Sequence, residues 1–168
     1  MPMKHFEAYG FYEDKRSDTV HGMVCVDMIH LFVLRTNARY ADPVARARAV
    51  AQVLEAAQLC CDHQFYGESI TRSYYACYQA MWAAVGDPPL GLWRHGGLVN
   101  EFCRGRWATP TLLPTALTGL RKKLETLYRL RIAVDYAAAS GSHANAEFGL
   151  DVVKEVLHVI AHHTGWAL

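Results

Sequence analysis

Residues 113–136 read LPTALTGLRKKLETLYRLRIAVDY and carry a helical pattern of apolar residues. Side chains that recur at spacings of three and four fall on one face of an α-helix. The stripe consists of Leu113, Leu117, Leu120, Leu124, Leu127, Arg131 and Val134. Arg131 therefore stands at a position where an apolar side chain facing the core is expected. The pattern predicts a bundle helix with an arginine on its buried face.

Three further stripes of the same width predict three more long helices. Asp42 followed by Pro43 is a typical helix start, an N-cap residue before a first-turn proline. The stripes are Val44, Ala47, Ala51, Leu54, Gln58 and Cys61; then Ile70, Tyr74, Cys77, Tyr78, Met81 and Val85; then Phe148, Val152, Val156, Val159 or Ile160, and His163. We predict an all-α, up-and-down antiparallel four-helix bundle, with a short extra helix near residues 96–102.

The chain divides into an N-terminal extension, residues 1–40, and the helical bundle, residues 41–168. Residues 23–34 form the longest apolar run and contain Asp27 and His30. Periodicity cannot separate a buried strand from an additional helix in so short a run. We favour a helix there, preceded by an arm of about twenty residues.

Composition limits the classes of function. The chain has 168 residues, 52% of them hydrophobic and 20% charged, with a formal net charge of +1. These values exclude a disordered tail and give no global attraction to nucleic acid or membrane. Locally, residues 94–131 contain eight basic residues against two acidic ones, Glu101 and Glu125. That excess fits either a surface for a phosphate backbone, with Lys122, Lys123 and Arg129 as contacts, or a solvated helix face.

The cysteine pattern predicts a cytoplasmic location. The five cysteines form no C-x-x-C pair, and no signal peptide stands at the start of the sequence. We therefore expect reduced and mostly buried thiols. No apolar run reaches the length of about 20 residues that spans a bilayer, so we expect no membrane association.

Arg131, Asp135 and Tyr136 are the candidate catalytic residues. A buried guanidinium needs partners because an unpaired buried charge is costly. Asp135 follows Arg131 by four residues, on the same face of the helix. The pair is either a structural ion pair at the helix end or part of a polar pocket between helices or at a dimer seam.

Arg72 and His95 are candidate RNA- or nucleotide-binding residues. Arg72 precedes a run with three tyrosines, and His95 stands at the expected start of the short helix. His158 and His162 have the i,i+4 spacing of a zinc pair, but the sequence places no third ligand. We predict no metal and no cofactor, since the chain also lacks Walker and Rossmann motifs.

Residues 44–160 resemble the HEPN family. The resemblance rests on Thr71-Arg72-Ser73-Tyr74-Tyr75-Ala76, on residues 95–102 (HGGLVNEF), and on residues 127–136 (LYRLRIAVDY). It implies a homodimeric helical bundle, often paired with a minimal nucleotidyltransferase. Many members are metal-independent ribonucleases that use an arginine followed within a few residues by a histidine. Arg131 matches that arginine, but Tyr136 occupies the position expected for the histidine.

The resemblance leaves three hypotheses. The first is a HEPN-type toxin or antiviral defence protein that cleaves RNA, with Arg131 holding the phosphate and Asp135, Tyr136 or His95 assisting. The second is a non-catalytic subunit that binds RNA or a nucleotide, or that partners a nucleotidyltransferase. The third is a structural module of a larger assembly, in which residues 1–40 are the docking arm.

Overall fold

The computed structural model describes residues 43–137 and 139–165, with side chains described from residue 49 onward. All regular secondary structure in these ranges is helical, which confirms the all-α class for them. The helices are α1 (Pro43–Asp62), α2 (Tyr66–Val85), α3 (His95–Cys103), a 3-10 helix (Pro114–Leu117), α4 (Thr118–Tyr136) and α5 (His143–Thr164). The predictions for residues 1–40 lie outside the described residues.

Helix ends follow local signals in the sequence. α1 spans Pro43–Asp62, from the first described residue onward, and the predicted N-cap Asp42 lies outside the described residues. Gly86 ends α2 with a φ of +83°, a conformation that side chains disfavour. The hydroxyl of Ser142 caps α5 by accepting a hydrogen bond of 3.2 Å from the backbone N–H of Asn145. α3 spans His95–Cys103 and confirms the predicted short helix.

α2 is the central element, because it packs against α1, α3, α4 and α5. Five members of its predicted stripe are buried, namely Ile70, Tyr74, Cys77, Tyr78 and Met81. Leu120, Leu124, Leu127 and Arg131 are buried on α4, and Val152, Val156 and Ile160 on α5. The stripes on α2 and α4 therefore form the core as the sequence predicts.

Side-chain contacts fix the relative direction of neighbouring helices. Ser69, early in α2, donates a hydrogen bond of 2.9 Å to the carbonyl of Ala57, late in α1. Thr71, also early in α2, bonds Asp135 at the end of α4. Lys123, early in α4, pairs with Glu155 in the second half of α5. Each of these three helix pairs runs antiparallel.

Two details of the predicted stripes are wrong. On α1 the buried residues are Val50, Val53, Ala57, Cys60 and Cys61, whereas Ala51 and Gln58 are exposed. The helix is thus rotated by about one residue, or about 100°, from the prediction, because alanines stand on both faces and make the period ambiguous. Leu113 is 73% exposed, because the chain only turns helical at Pro114.

A close backbone contact joins the start of α2 to the loop before α5. A Cβ atom on Gly141 would lie 2.6 Å from the backbone nitrogen of Gly67. A Cβ on Gly67 would in turn lie 2.9 Å from Cγ1 of Val134 on α4. The two glycines let the ends of α2 and α4 and the α4–α5 loop meet at van der Waals distance.

Candidate functional site

Arg131 lies on the face of α4 that packs against α2, and it is 6% exposed. Its Nε is 2.7 Å from Oδ2 of Asp135, one helical turn further on. The N–H does not point at that oxygen, so the contact is an ion pair rather than an aligned hydrogen bond. The predicted i,i+4 pair is therefore present and holds the buried charge.

Tyrosines complete the surroundings of this guanidinium. Nη2 of Arg131 donates to the hydroxyl of Tyr75 at 2.8 Å and, at a longer 3.4 Å, to that of Tyr136. Its Cζ lies 5.0 Å from the ring centroid of Tyr136, 5.4 Å from that of Tyr75 and 6.0 Å from that of Tyr74. Burial lowers the pKa of Arg131, but the Tyr136 hydrogen bond and the neighbouring Tyr75 and Asp135 outweigh it and raise the pKa.

Asp135 links the cluster to the start of α2. Its side chain is 21% exposed, and Oδ1 accepts a hydrogen bond of 2.6 Å from the hydroxyl of Thr71. Both carboxylate oxygens are thus engaged, one with a cation and one with a hydroxyl.

Tyr136 is a largely exposed member of the cluster. It is the last residue of α4, and it is 72% exposed although its ring lies next to the buried guanidinium. A large aromatic ring in this position is held by a cation and a weak hydrogen bond rather than by apolar packing. Its accessible surface is one part of the cluster that an external molecule can contact.

His95 joins the same group of residues from α3. Its Nδ1 is 2.5 Å from the hydroxyl of Tyr74, and its ring lies among those of Tyr74, Tyr78 and Tyr128. Burial raises the pKa of Tyr74, so the phenol keeps its proton at neutral pH beside the imidazole of His95. Because Tyr74 also contacts Arg131, His95 and Arg131 border one tyrosine ring.

Arg72 does not join this cluster. It is 6% exposed and lies on α2 directly after Thr71. The hydrogen bonds and ion pairs of Arg131, Asp135 and Tyr136 among the described residues do not include Arg72.

Carboxylates neutralise much of the basic excess between residues 94 and 131. Glu101 pairs with Arg104 at 2.7 Å and with Arg106 at 2.5 Å, and the hydrogen bond from Arg106 lowers the pKa of Glu101. Arg121 pairs with Glu125 at 3.1 Å and also bonds Asn100. Lys123 pairs with Glu155 at 2.5 Å. Besides Arg131, four of the eight basic residues therefore form ion pairs with carboxylates.

Lys122 and Arg129 differ from these paired residues. Both are exposed on α4, and neither forms an ion pair with another residue in the described ranges. The guanidinium of Arg129 folds along its own helix, with Nη2 donating to the hydroxyl of Thr126 at 3.2 Å. Of the predicted binding residues, these two keep their charge open to solvent.

Thr71, Tyr75 and Tyr128 are parts of the cluster that the sequence did not identify. Thr71 and Tyr75 are four residues apart on α2, one facing Asp135 and the other facing Arg131. Their i,i+4 spacing matches that of the Arg131–Asp135 pair, and this matched spacing is the signal that could have revealed them.

The histidines of α5 do not assemble a metal site with the other described residues. The rings of His158 and His162 stack at 6.3 Å, and His162 contacts His163 at 4.7 Å. Within the described ranges no three His, Cys, Asp or Glu side chains are arranged to hold a metal ion. The helices in that same part of the chain all lack the combination of length and apolar character needed to cross a membrane.

Comparison with known proteins identifies no relative of this chain. No family model matches the chain, and no curated protein is significantly similar to it. The resemblance to the HEPN family therefore stays a prediction that rests on the three quoted segments.

Proposed function

We propose that this chain is a HEPN-type up-and-down four-helix bundle that binds RNA or a nucleotide without cleaving it. The ligand binds at the end of α4, where Tyr136 is exposed beside the Arg131–Asp135 pair. The Arg-x-x-x-Asp-Tyr sequence of residues 131–136 supports the family, and the antiparallel helix pairs are in keeping with its bundle.

One observation carries the non-catalytic assignment, namely that the polar groups of the cluster are already engaged. Asp135 faces Arg131 and accepts from Thr71, and the Tyr136 hydroxyl accepts from Arg131. Cleavage of RNA needs a group that removes the proton of the 2′-hydroxyl, and a phenol that carries its own proton is a poor base. Carboxylate oxygens that already face partners within the protein support a binding surface better than they support proton transfer.

The test is to incubate the full chain with labelled RNA and with labelled nucleotides, and to measure both binding and products. We expect binding with the label recovered intact. Failure to bind any of these ligands at sub-millimolar concentration would overturn the proposal.

Ribonuclease activity is the second candidate, because His95 and Arg131 border the same Tyr74 ring. That arrangement could bring an imidazole and a guanidinium to one ribose-phosphate unit. Cleavage that is lost in both Arg131→Ala and His95→Ala would establish this candidate in place of the first. Cleavage that survives Arg131→Ala would exclude this cluster as its source.

The resemblance also supports a homodimer and a minimal nucleotidyltransferase as partners. Both proposals rest on the family pattern of residues 44–160. Light scattering of the purified chain tests the homodimer, and co-purification with a nucleotidyltransferase encoded by a neighbouring gene tests the second partner.

A further inference from the structure

A cleft of about 460 Å³ lies between the second half of α3 and the start of α4. A volume of this size is typical of binding sites for small molecules. The polar residues that line it are Asn100, Cys103 and Arg104 from α3, Thr115 from the 3-10 helix, and Thr118 and Arg121 from α4. We call this space the α3–α4 cleft.

The wall of the α3–α4 cleft carries positive charge and no carboxylate. Arg104 and Arg121 are its charged members, and no aspartate or glutamate is among the described residues that line it. Burial raises the pKa of Cys103, so this nearly buried thiol stays uncharged at neutral pH. A wall of this composition attracts anions and repels cations.

Two carboxylates that do not line the cleft hold its guanidiniums in place. Nη1 of Arg104 is 2.7 Å from Oε2 of Glu101. Nε of Arg121 is 3.1 Å from Oε1 of Glu125. Glu101 also pairs with Arg106 at 2.5 Å, so three guanidiniums share two carboxylates and one positive charge remains. Guanidiniums that are already oriented reduce the entropy cost of binding a ligand.

Hydrogen-bond donors on the lining side chains remain open. Among the described residues, Nε and Nη2 of Arg104 and Nη1 of Arg121 have no acceptor. Oδ1 of Asn100 accepts from Nη2 of Arg121, which leaves Nδ2 of Asn100 without an acceptor in the same ranges. The hydroxyls of Thr115 and Thr118 likewise form no hydrogen bond with another described residue. The oxygens of an anion only accept hydrogen bonds, so they match this set of donors.

The size of the cleft indicates that the anion belongs to a small organic molecule. Inorganic phosphate alone would leave most of the volume empty. The ring of Pro114 and the thiol of Cys103 add apolar wall, which suits the carbon groups of a ligand. Arginine binds phosphate and carboxylate groups alike, through paired N–H donors. The shared chemistry is therefore an oxyanion group on a small carbon skeleton.

The α3–α4 cleft lies away from the Arg131 cluster. Arg121 precedes Arg131 by ten residues on α4, which corresponds to about 15 Å along the helix axis. Neither Arg131 nor Asp135 nor Tyr136 lines the cleft. A ligand in the cleft therefore occupies a second site, separate from the end of α4.

We propose that the α3–α4 cleft binds a small organic anion through its phosphate or carboxylate group. Arg104 and Arg121 contact the charged oxygens of this group. The amide of Asn100 and the hydroxyls of Thr115 and Thr118 donate to the oxygens that remain. The inference adds a binding site to the function proposed above and does not depend on that function.

The experiment is an NMR titration of the isotope-labelled full chain at constant ionic strength, so that general screening stays equal. The probes are inorganic phosphate, glycerol phosphate, succinate and citrate. We expect saturable shifts of the amide signals of residues 100–104 and 115–121, with a dissociation constant below about 10 mM for at least one probe. Binding of the two phosphates alone, or of the two carboxylates alone, supports the inference and identifies the charged group.

Variants of the two arginines test the assigned contacts. Arg104→Ala and Arg121→Ala should each weaken binding by about tenfold or more, because each removes charge-assisted hydrogen bonds. Arg121→Lys should recover only part of the loss, since an ammonium group keeps the charge but not the paired donors. Lys154→Ala is the matched control, because it removes the same charge from an exposed residue of α5 that faces Asp151 at 3.5 Å. Its dissociation constant should stay within about twofold of that of the unchanged protein.

Two results would overturn the inference. The first is the absence of saturable binding of all four anions by the unchanged protein at about 10 mM. The second is an equal loss of affinity in Arg104→Ala, Arg121→Ala and Lys154→Ala, which would show general electrostatic attraction instead of a site. Both results leave the proposed binding of RNA or a nucleotide at the end of α4 untouched, because that binding uses other residues.

Discussion

On the inner face of α4, Arg131 is buried and its charge is matched by Asp135 and surrounded by tyrosines. On the outer face of the same helix, Lys122 and Arg129 are exposed and face no carboxylate among the described residues. The residue that is anomalous in the sequence is thus fully explained by its packing. The ordinary-looking surface residues are the ones whose charge remains open to an external ligand.

The largest expected difference between the two faces of α4 comes from removing the buried charge of Arg131. Arg131→Ala should lower the free energy of unfolding by about 3 kcal/mol, because it leaves a cavity against Tyr75 and an unpaired carboxylate on Asp135. Arg129→Ala, two residues away on the outer face, should change it by less than about 0.5 kcal/mol. Urea denaturation of both variants measures the difference, and equal effects would show that Arg131 is not structurally integrated.

Two glycines are expected to respond in opposite directions to replacement by alanine, with changes in stability of intermediate size. Gly141→Ala should destabilise the protein by about 1–3 kcal/mol, since the new Cβ would lie 2.6 Å from the backbone of Gly67. Gly119→Ala, in the first turn of α4, meets no atom within 4 Å and should stabilise the helix by up to about 1 kcal/mol. Thermal unfolding measures the loss of stability in Gly141→Ala and the gain in Gly119→Ala. An unchanged melting temperature for Gly141→Ala would mean that the backbone at Gly67 moves to make room for the new Cβ.

The smallest effect concerns the hydrogen bond between α2 and Asp135. Thr71→Val should cost about 1 kcal/mol, because it removes the 2.6 Å hydrogen bond but keeps the size of the side chain. A double-mutant cycle with Asp135→Asn isolates that contact. Additive effects of the two substitutions would indicate that the hydroxyl and the carboxylate do not stabilise each other.

Local periodicity predicted the helices well where large apolar residues define one face. The stripe of α2 from Ile70 to Met81 is buried as predicted, and α4 buries Leu120, Leu124 and Leu127. The stripe of α1 was rotated by one residue because its alanines fit two faces equally well. Leu113 was included because periodicity does not register that Pro114 starts a new element.

The candidate site was predictable only within one helix. The Arg131–Asp135 pair follows from a spacing of four on α4, and it is present. Thr71 lies 64 residues before its partner Asp135, and Lys123 lies 32 residues before Glu155. Contacts between helices depend on packing that a single sequence does not encode as a local pattern, so the Lys123–Glu155 pair was not predicted, whereas Arg121–Glu125 has the i,i+4 spacing that a sequence does show.

The central place of α2 has a consequence for how the molecule can open. Because α2 packs against each of the other four helices, it cannot detach without exposing the apolar faces of all of them. Partial opening must therefore begin at the periphery, for example by release of the nine-residue α3, which would free His95 from Tyr74. Amide protons in the middle of α2 would then exchange with solvent only when the whole cooperative unit unfolds.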